Sequence, residues 1–301
     1  MRKEFCNRIE QLGKENEKIV FLTGDVGFNA LEGVQKVFGD RFINMGVAEQ
    51  NMISVAAGMA LEGYKVFCYS IAPFVVYRCL EQIRNDVCFH NLPVFIVGNG
   101  GGYGYGIMGP SHHALEDLAC LSGLPNMTTY IPAFDVDVSY AIHTIIKKSA
   151  PAYLRLGLGN YNPVPVASSF FYPVVTSSSA KVTVAALGPV GNNVLKALEN
   201  TAIKGKADVF SVTQLPFKEL PTDFIESLRK TKKLIVAEEH VSVGGLGQNL
   251  ATAILKANIS LTSFISLTAQ GYPNGLYGNQ SYHQQLSGLD AQSIGKLLES
   301  L

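Results

Sequence analysis

Short apolar runs alternate with helical patterns along this chain, and that alternation limits the folds open to it. Runs such as Ile19–Thr23 lack a polar face, so they predict strands that are covered on both sides of a sheet. Because helical segments separate these runs, neighbouring strands are expected to be parallel. The strands predicted in the first half are 19–23, 42–45, 65–70, 94–98, 127–131 and 152–156.

The alternation stops at a segment rich in Pro, Ser and aromatic residues and then begins again. Residues 161–180 are therefore predicted to be a linker. Beyond it, strands are predicted at 182–187, 207–212 and 233–238, with helices between or after them. The fold class predicted is α/β, with two parallel-sheet α/β domains spanning residues 1–160 and 181–301.

The composition favours large buried cores or a large partner interface. Of the 301 residues, 47% are hydrophobic and only 16% are charged. Lys plus Arg and Asp plus Glu both number 24, so no net charge attracts nucleic acid or an acidic membrane. We therefore expect neither nucleic acid nor a membrane among the partners.

The sequence also predicts a cytoplasmic location. The first five residues lack the apolar run of a signal peptide, and no apolar stretch has transmembrane length. The five cysteines lie among apolar neighbours without the spacing of a zinc site. We expect them to be reduced packing residues.

Glu49 stands at the start of a helix that is otherwise almost free of charge. The strand predicted at 42–45 leads directly to it, and the residues after Met52 are apolar or small. Burying a carboxylate is costly unless it finds a partner or takes up a proton. Glu49 is therefore either paired structurally or held ready for proton chemistry.

Other polar and aromatic residues follow the predicted strands where each strand ends, the edge at which open α/β sheets bind ligands. Each has an ordinary structural explanation when taken alone: a turn, a core aromatic or a buried histidine. The glycine-rich loop 98–106 matches neither a dinucleotide-binding fingerprint nor a P-loop. The residues concerned are Asp25, Glu49, Phe74, Tyr77, His112 and His113.

The order and wording of these motifs resemble the thiamine-diphosphate enzymes of the transketolase family. Gly46–Asn51 resembles the glutamate motif of that family, and Gly109–His113 resembles its Gly-Pro-Thr-His-Gln motif. Further similarity lies in Gly24–Val26 and in Val236–His240. The resemblance covers the half that binds the aminopyrimidine ring together with the C-terminal domain.

The resemblance implies a role for each residue. Glu49 would hydrogen-bond the pyrimidine N1′ and promote the tautomer that deprotonates the thiazolium C2. Phe74 would stack on the pyrimidine, and Tyr77 would line the same pocket. Asp25 and Ile71 are assigned to that cofactor pocket as well. The residues expected at the substrate are His112, which is also assigned a catalytic role, with His113, Met108 and Gly100.

The diphosphate- and magnesium-binding motif of the family, Gly-Asp-Gly followed by Asn, is missing from this sequence. Gly24–Val26 and Gly39–Arg41 do not fit it. The resemblance therefore implies the C-terminal subunit of a split enzyme. Its partner would be the N-terminal, diphosphate-binding subunit, which would hold the magnesium, in an α2β2 heterotetramer. Such a pair would transfer a two-carbon ketol unit.

Three positions depart from typical transketolases. Gly100 stands where the family has His, Met108 where it often has Asp, and Leu158 where a phosphate-binding Arg is expected; Arg155 is near but offset. Loss of a fixed guanidinium removes bidentate phosphate recognition. We therefore expect an acceptor other than a simple sugar phosphate, such as a modified or nucleotide-linked sugar. The glycines are expected to leave room for it.

Three other interpretations remain open at this stage. The chain could be the beta subunit of a 2-oxoacid dehydrogenase first component, which Gly24–Gly27 fits well. It could be similar to 1-deoxyxylulose-phosphate synthase, although the phosphate-binding Arg is missing. It could also be a non-catalytic regulatory subunit, but such a subunit would not need Glu49 and His112.

Overall fold

The computed structural model describes residues 1–27, 29–158, 169–199 and 203–301. It contains two α/β domains, as the sequence predicts, each built on one sheet with helices packed against it. Within the described residues, no helix is both long and apolar enough to cross a membrane.

The strands match the predicted positions closely in the first domain. In chain order, the strands of both domains are β1 Ile19–Thr23, β2 Phe42–Asn44, β3 Lys65–Ile71, β4 Val94–Asn99, β5 Thr128–Tyr130, β6 Ala152–Leu156, β7 Phe171–Val175, β8 Val182–Leu187, β9 Ala207–Val212, β10 Gln214–Leu215, β11 Lys233–Glu238 and β12 Ser263–Leu267.

Helices separate most of the strands. They are α1 Arg2–Glu15, α2 Glu32–Phe38, α3 Glu49–Leu61, α4 Ala72–Val76, α5 Leu80–Gln82, α6 Asp117–Ser122, α7 Asp135–Lys148, α8 Val190–Ala197, α9 Thr222–Thr231, α10 Leu246–Lys256, α11 Gln280–Leu286 and α12 Ala291–Glu299.

The first sheet has the strand order β10-β5-β6-β4-β3-β1-β2. Its core strands are parallel, whereas β10 pairs antiparallel with β5. Because β10 belongs to the second half of the sequence, the two halves of the chain share this sheet.

The second sheet has the order β12-β11-β8-β9-β7, and β7 pairs antiparallel with β9. β7 lies inside the segment predicted to be a linker. Residues 161–168, which make up about half of the rest of that segment, lie outside the described residues. The domain boundaries therefore stay a prediction.

Both faces of the first sheet are covered, as its apolar strands require. Val20 and Leu22 of β1 point into a core with α3, whereas Ile19 and Phe21 point into a core with α1 and α2. Successive side chains of a strand alternate between faces, so a strand buried on both sides must be apolar throughout.

Buried polar groups hold the two domains together. Arg155, at the end of β6, is 5% exposed, and its Nε lies 3.1 Å from Oδ2 of Asp117. The Arg155 Nη2 donates to the backbone oxygens of Ala114, at 2.6 Å, and of Glu239, at 3.0 Å. The Glu239 carboxylate in turn accepts from the backbone N–H of Tyr103 at 2.7 Å. Arg155 therefore joins the first domain to the second.

We predict that Arg155→Met destabilises the chain strongly, because it leaves Asp117 buried without its cation. Breaking a buried ion pair from one side typically costs about 3–5 kcal/mol. Chemical denaturation measures the change, with Arg229→Met on the exposed side of α9 as a control. A loss below about 1 kcal/mol would show that Arg155 is not needed to hold the domains together.

Candidate functional site

Glu49 is the first residue of α3 and is 3% exposed. The turn after β2 delivers it to the carboxyl edge of the first sheet, and β3 contributes Ser70 beside it. The Ser70 hydroxyl donates to Oε1 of Glu49 at 3.0 Å. An added Cβ on Gly24 would lie only 3.2 Å from Oγ of Ser70 and 3.3 Å from Oε1 of Glu49. Three chain segments thus converge on this carboxylate.

Arg78 is the second partner of Glu49, and the sequence patterns did not indicate it. Its Nη1 donates to Oε2 of Glu49 at 2.9 Å. The helical segment after β3 is broken: α4 ends at Val76, α5 is short, and 83–88 form a π-helical segment. Arg78 lies between α4 and α5, where its side chain can turn toward Glu49. Apolar spacing alone carries no signal for this cation.

Phe74 connects the carboxylate to His112. The Cζ atom of Arg78 lies 4.6 Å from the centre of the Phe74 ring, and the Phe74 and His112 ring centres are 5.0 Å apart. We call Glu49, Arg78, Phe74 and His112 the Glu49 cluster. The structure therefore brings together three of the residues predicted for cofactor and substrate.

His112 remains accessible at the end of this cluster. It is half-buried and belongs to the short helical turn Pro110–His112. Its Nδ1 shares a hydrogen bond with the Ser111 hydroxyl at 3.0 Å. Its Nε2 is therefore the ring nitrogen available to a substrate.

Tyr77 contacts Glu116, the residue immediately before α6. Its hydroxyl donates to Oε2 of Glu116 at 2.9 Å and accepts from the Glu116 backbone N–H at 3.1 Å. Burial raises the pKa of the Tyr77 phenol, so this group stays protonated. With its hydroxyl held in this way, Tyr77 is suited to line the pocket and not to carry a proton.

His113 occupies a different place from its neighbour. It is 3% exposed; its Nδ1 lies 2.6 Å from the hydroxyl of Tyr272, and its Nε2 lies 2.9 Å from the Gly106 oxygen. Burial lowers the pKa of its imidazole. Both ring nitrogens of His113 have hydrogen-bond partners within the chain, so this geometry does not favour the substrate contact predicted for it. His113 joins the glycine-rich loop to the second domain.

The glycine-rich loop is tightly packed, and the expectation that its glycines leave room for a substrate is wrong. An added Cβ would lie 2.2 Å from the Tyr105 ring at Gly100, 2.3 Å from Arg155 at Gly101 and 2.2 Å from Glu239 at Gly102. Protein atoms already fill the space beside these glycines. Gly100 also has a φ of +73°, which favours glycine for its backbone alone.

Asp25 and Ile71 lie at the same edge of the sheet as Glu49. Asp25 is exposed, and its Oδ1 accepts from Nδ2 of Asn44 at 3.1 Å. The backbone N–H of Asp25 donates to the Gly46 oxygen at 3.2 Å, which ties this turn to the loop before Glu49. Ile71 is half-buried and immediately precedes α4.

Two of the three positions that depart from the family pattern, Met108 and Leu158, are apolar and exposed. Met108 is 54% and Leu158 62% exposed, whereas Arg155 is committed to Asp117 and two backbone oxygens. Within the described residues, no group of three or more His, Cys, Asp or Glu side chains could hold a metal ion.

Comparison with known proteins identifies the family. Residues 1–163 match the model described as "Transketolase, pyrimidine binding domain", and residues 172–294 match "Transketolase, C-terminal domain". The chain belongs to the transketolase family.

Several relatives are themselves subunits or parts of split enzymes. One of the subunits of the apulose-4-phosphate transketolase of Actinobacillus succinogenes is 29% identical, over 88% of this chain and 86% of its own length. A putative transketolase C-terminal section of Methanocaldococcus jannaschii is 31% identical, over 98% and 94%. A 1-deoxy-D-xylulose-5-phosphate synthase of Geobacter sulfurreducens is 31% identical over 98% of this chain but only 47% of its own length.

The fold has a solved counterpart of the same size. A structure described as a split gene transketolase, inactive beta4 tetramer, aligns with a TM-score of 0.82 and 28% identity. The alignment covers 99% of this chain and 96% of that one. The predicted resemblance to the pyrimidine-binding and C-terminal half of a split transketolase is thereby confirmed.

Proposed function

We propose that this chain is the C-terminal subunit of a two-subunit, transketolase-like enzyme that transfers a two-carbon ketol unit. Thiamine diphosphate would bind between this chain and an N-terminal, diphosphate-binding subunit. Family membership and the split relatives support the two-subunit arrangement. The observation that carries the proposal is the buried Glu49 carboxylate, which Arg78 links to the Phe74 ring and so to an accessible histidine.

The residues present fit the aminopyrimidine half of the cofactor. A carboxylate 3% exposed at a helix start suits a ring nitrogen that must share a proton, and Phe74 offers a face for stacking. When bound, thiamine diphosphate supplies the carbon nucleophile and the electron sink. Glu49 would bind and orient the ring at N1′, and Ser70 would hold the Glu49 carboxylate in place. His112 would exchange a proton or a hydrogen bond with substrate oxygen.

The proposal assigns the magnesium and the diphosphate to the partner subunit. The sequence lacks the family's diphosphate motif, and exposed apolar side chains lie close in sequence to Glu49 and His112. Val47 is 80%, Ile107 72% and Met108 54% exposed. Exposed apolar patches commonly mark protein interfaces, and an α2β2 assembly would cover these residues. The five free cysteines suit a reducing, cytoplasmic location.

A second candidate is the corresponding half of a 1-deoxyxylulose-phosphate synthase-like enzyme. It is favoured by relatives of that name that match almost the whole chain. The two candidates differ in the donor, so turnover of the co-expressed pair with a ketose or with a 2-oxoacid distinguishes them.

We predict that Glu49→Gln abolishes most of the turnover of the reconstituted pair while the chain still folds and assembles. Gln keeps the shape of the side chain but cannot share a proton with N1′ as a carboxylate does. Positioned proton transfer contributes about two to four powers of ten in rate. Steady-state kinetics measure the loss, and circular dichroism and light scattering check folding and assembly.

Glu62→Gln is the matched control, since Glu62 is exposed and follows the last residue of the same helix. It should leave kcat unchanged. If Glu49→Gln retains more than about a tenth of the activity, Glu49 has a structural role and the proposed chemistry is wrong.

For the acceptor, we propose a sugar whose recognition does not depend on a terminal phosphate in this chain. The support is that Leu158 and Met108 are apolar and exposed and that Arg155 is occupied. A modified or nucleotide-linked sugar fits such a site. Two relatives are named for apulose 4-phosphate, so the property to measure is how far transfer depends on a phosphate on the acceptor.

The prediction is that the reconstituted pair uses ribose 5-phosphate poorly and gains less than about tenfold from its phosphate relative to ribose. One charge-assisted contact is worth roughly ten- to a hundredfold in affinity. Leu158→Arg should therefore raise kcat/KM for ribose 5-phosphate selectively. Efficient wild-type transfer to ribose 5-phosphate, above about 10⁴ M⁻¹s⁻¹, would refute this acceptor assignment.

A further inference from the structure

Arg78 lies where the proposed function would put the cofactor's pyrimidine ring. Its guanidinium donates to Oε2 of Glu49 at 2.9 Å and lies over the Phe74 ring, with Cζ 4.6 Å from the ring centre. These are the two residues expected to hydrogen-bond and to stack on the pyrimidine. A guanidinium is planar and combines N–H donors with a face that stacks on aromatic rings. It can therefore make both contacts that the ring would make.

We propose that Arg78 is a placeholder for the aminopyrimidine ring: it pairs with Glu49 in the chain without cofactor and leaves when the ring binds. This inference rests on the proposed function, because only a pyrimidine-binding role for Glu49 makes the two ligands competitors. The ring and the guanidinium would compete for the Glu49 carboxylate and for the Phe74 ring.

The surroundings of Arg78 permit the exchange. Its side chain is 42% exposed, and its backbone lies between α4 and α5 rather than inside a helix. The Ser70 hydroxyl stays on the other oxygen of Glu49, Oε1, so the departure of Arg78 frees Oε2 alone. Glu49 thus keeps its orientation while one acceptor position passes from Arg78 to the ring.

The pairing with Arg78 also stabilises the Glu49 carboxylate in the unassembled chain. A buried carboxylate without a partner is costly. Arg78 satisfies Glu49 until the cofactor arrives. The consequence is a lower apparent cofactor affinity, because binding has to displace an existing charge-assisted contact.

The test is the affinity of the reconstituted pair for thiamine diphosphate with magnesium, measured by calorimetry on wild type and Arg78→Met. Removal of the competitor should tighten binding roughly ten- to a hundredfold. Arg84→Met is the matched control, because Arg84 is exposed on the adjacent segment and its side chain contacts only the Asn85 side chain among the described hydrogen bonds. It should leave the affinity unchanged.

Unfolding of the isolated chain supplies the second readout, which does not depend on activity. Arg78→Met and Glu49→Gln should each lower the unfolding midpoint. The double variant should lower it by less than the sum of the two single changes, because the residues share one contact. This non-additivity is the coupling between the two residues. In the cofactor-loaded pair, this coupling should vanish. If Arg78→Met folds poorly, Arg78→Gln, which keeps one N–H donor, should show a smaller gain in cofactor affinity.

Equal or weaker cofactor binding by the Arg78→Met pair, or coupling that persists in the loaded pair, would overturn the placeholder and make Arg78 a permanent partner of Glu49. If the wild-type and the variant pairs both fail to bind thiamine diphosphate, the proposed function itself is wrong and this inference ends with it.

Discussion

The buried carboxylate of Glu49 is the constraint on which the rest of the site depends. A carboxylate 3% exposed at the start of an apolar helix needs partners of fixed geometry. The parallel sheet supplies them: β3 brings Ser70, and the chain after α4 brings Arg78. Gly24 leaves a close fit here, because a Cβ at this position would lie 3.2 Å from the Ser70 hydroxyl and 3.3 Å from the Glu49 carboxylate. Phe74 and His112 then extend the cluster toward the surface.

The second domain stabilises the loop that carries His112. Glu239 binds the backbone of Tyr103, and the His113 ring contacts Tyr272 across the domain junction. The glycines of the loop allow Arg155 and Glu239 to approach the backbone closely. Contacts with the second domain therefore hold the loop in place, while His112 stays accessible. Because the loop is already packed, any unusual acceptor would have to be recognised at its exposed rim.

Much of the fold could be predicted because the strands are buried on both faces. Strand β1 is apolar up to Thr23 and was placed at its observed bounds, as was β8 in the second domain. Strand β12 was missed because its residues alternate between half-buried and exposed, and β10 because it is only two residues long. Short edge strands carry too little hydrophobic pattern to stand out from loops.

The site was less predictable than the fold, since its contacts are tertiary. Glu49 was recognisable as a lone charge before an apolar helix. Its pairing with Arg78 depends on a break between α4 and α5 that apolar spacing does not indicate. His113 looked equivalent to His112 in sequence, but the second domain buries it. The glycines suggested open space, whereas long-range contacts with Tyr105, Arg155 and Glu239 fill it.

The most direct test of this account is calorimetric titration of thiamine diphosphate and magnesium into the isolated chain and into the chain with its N-terminal partner subunit. The account predicts no measurable binding by the isolated chain and binding with a Kd of roughly micromolar order by the pair, which corresponds to about 8 kcal/mol. Magnesium-dependent micromolar binding by the isolated chain would contradict the claim that this subunit holds only the pyrimidine half of a shared site.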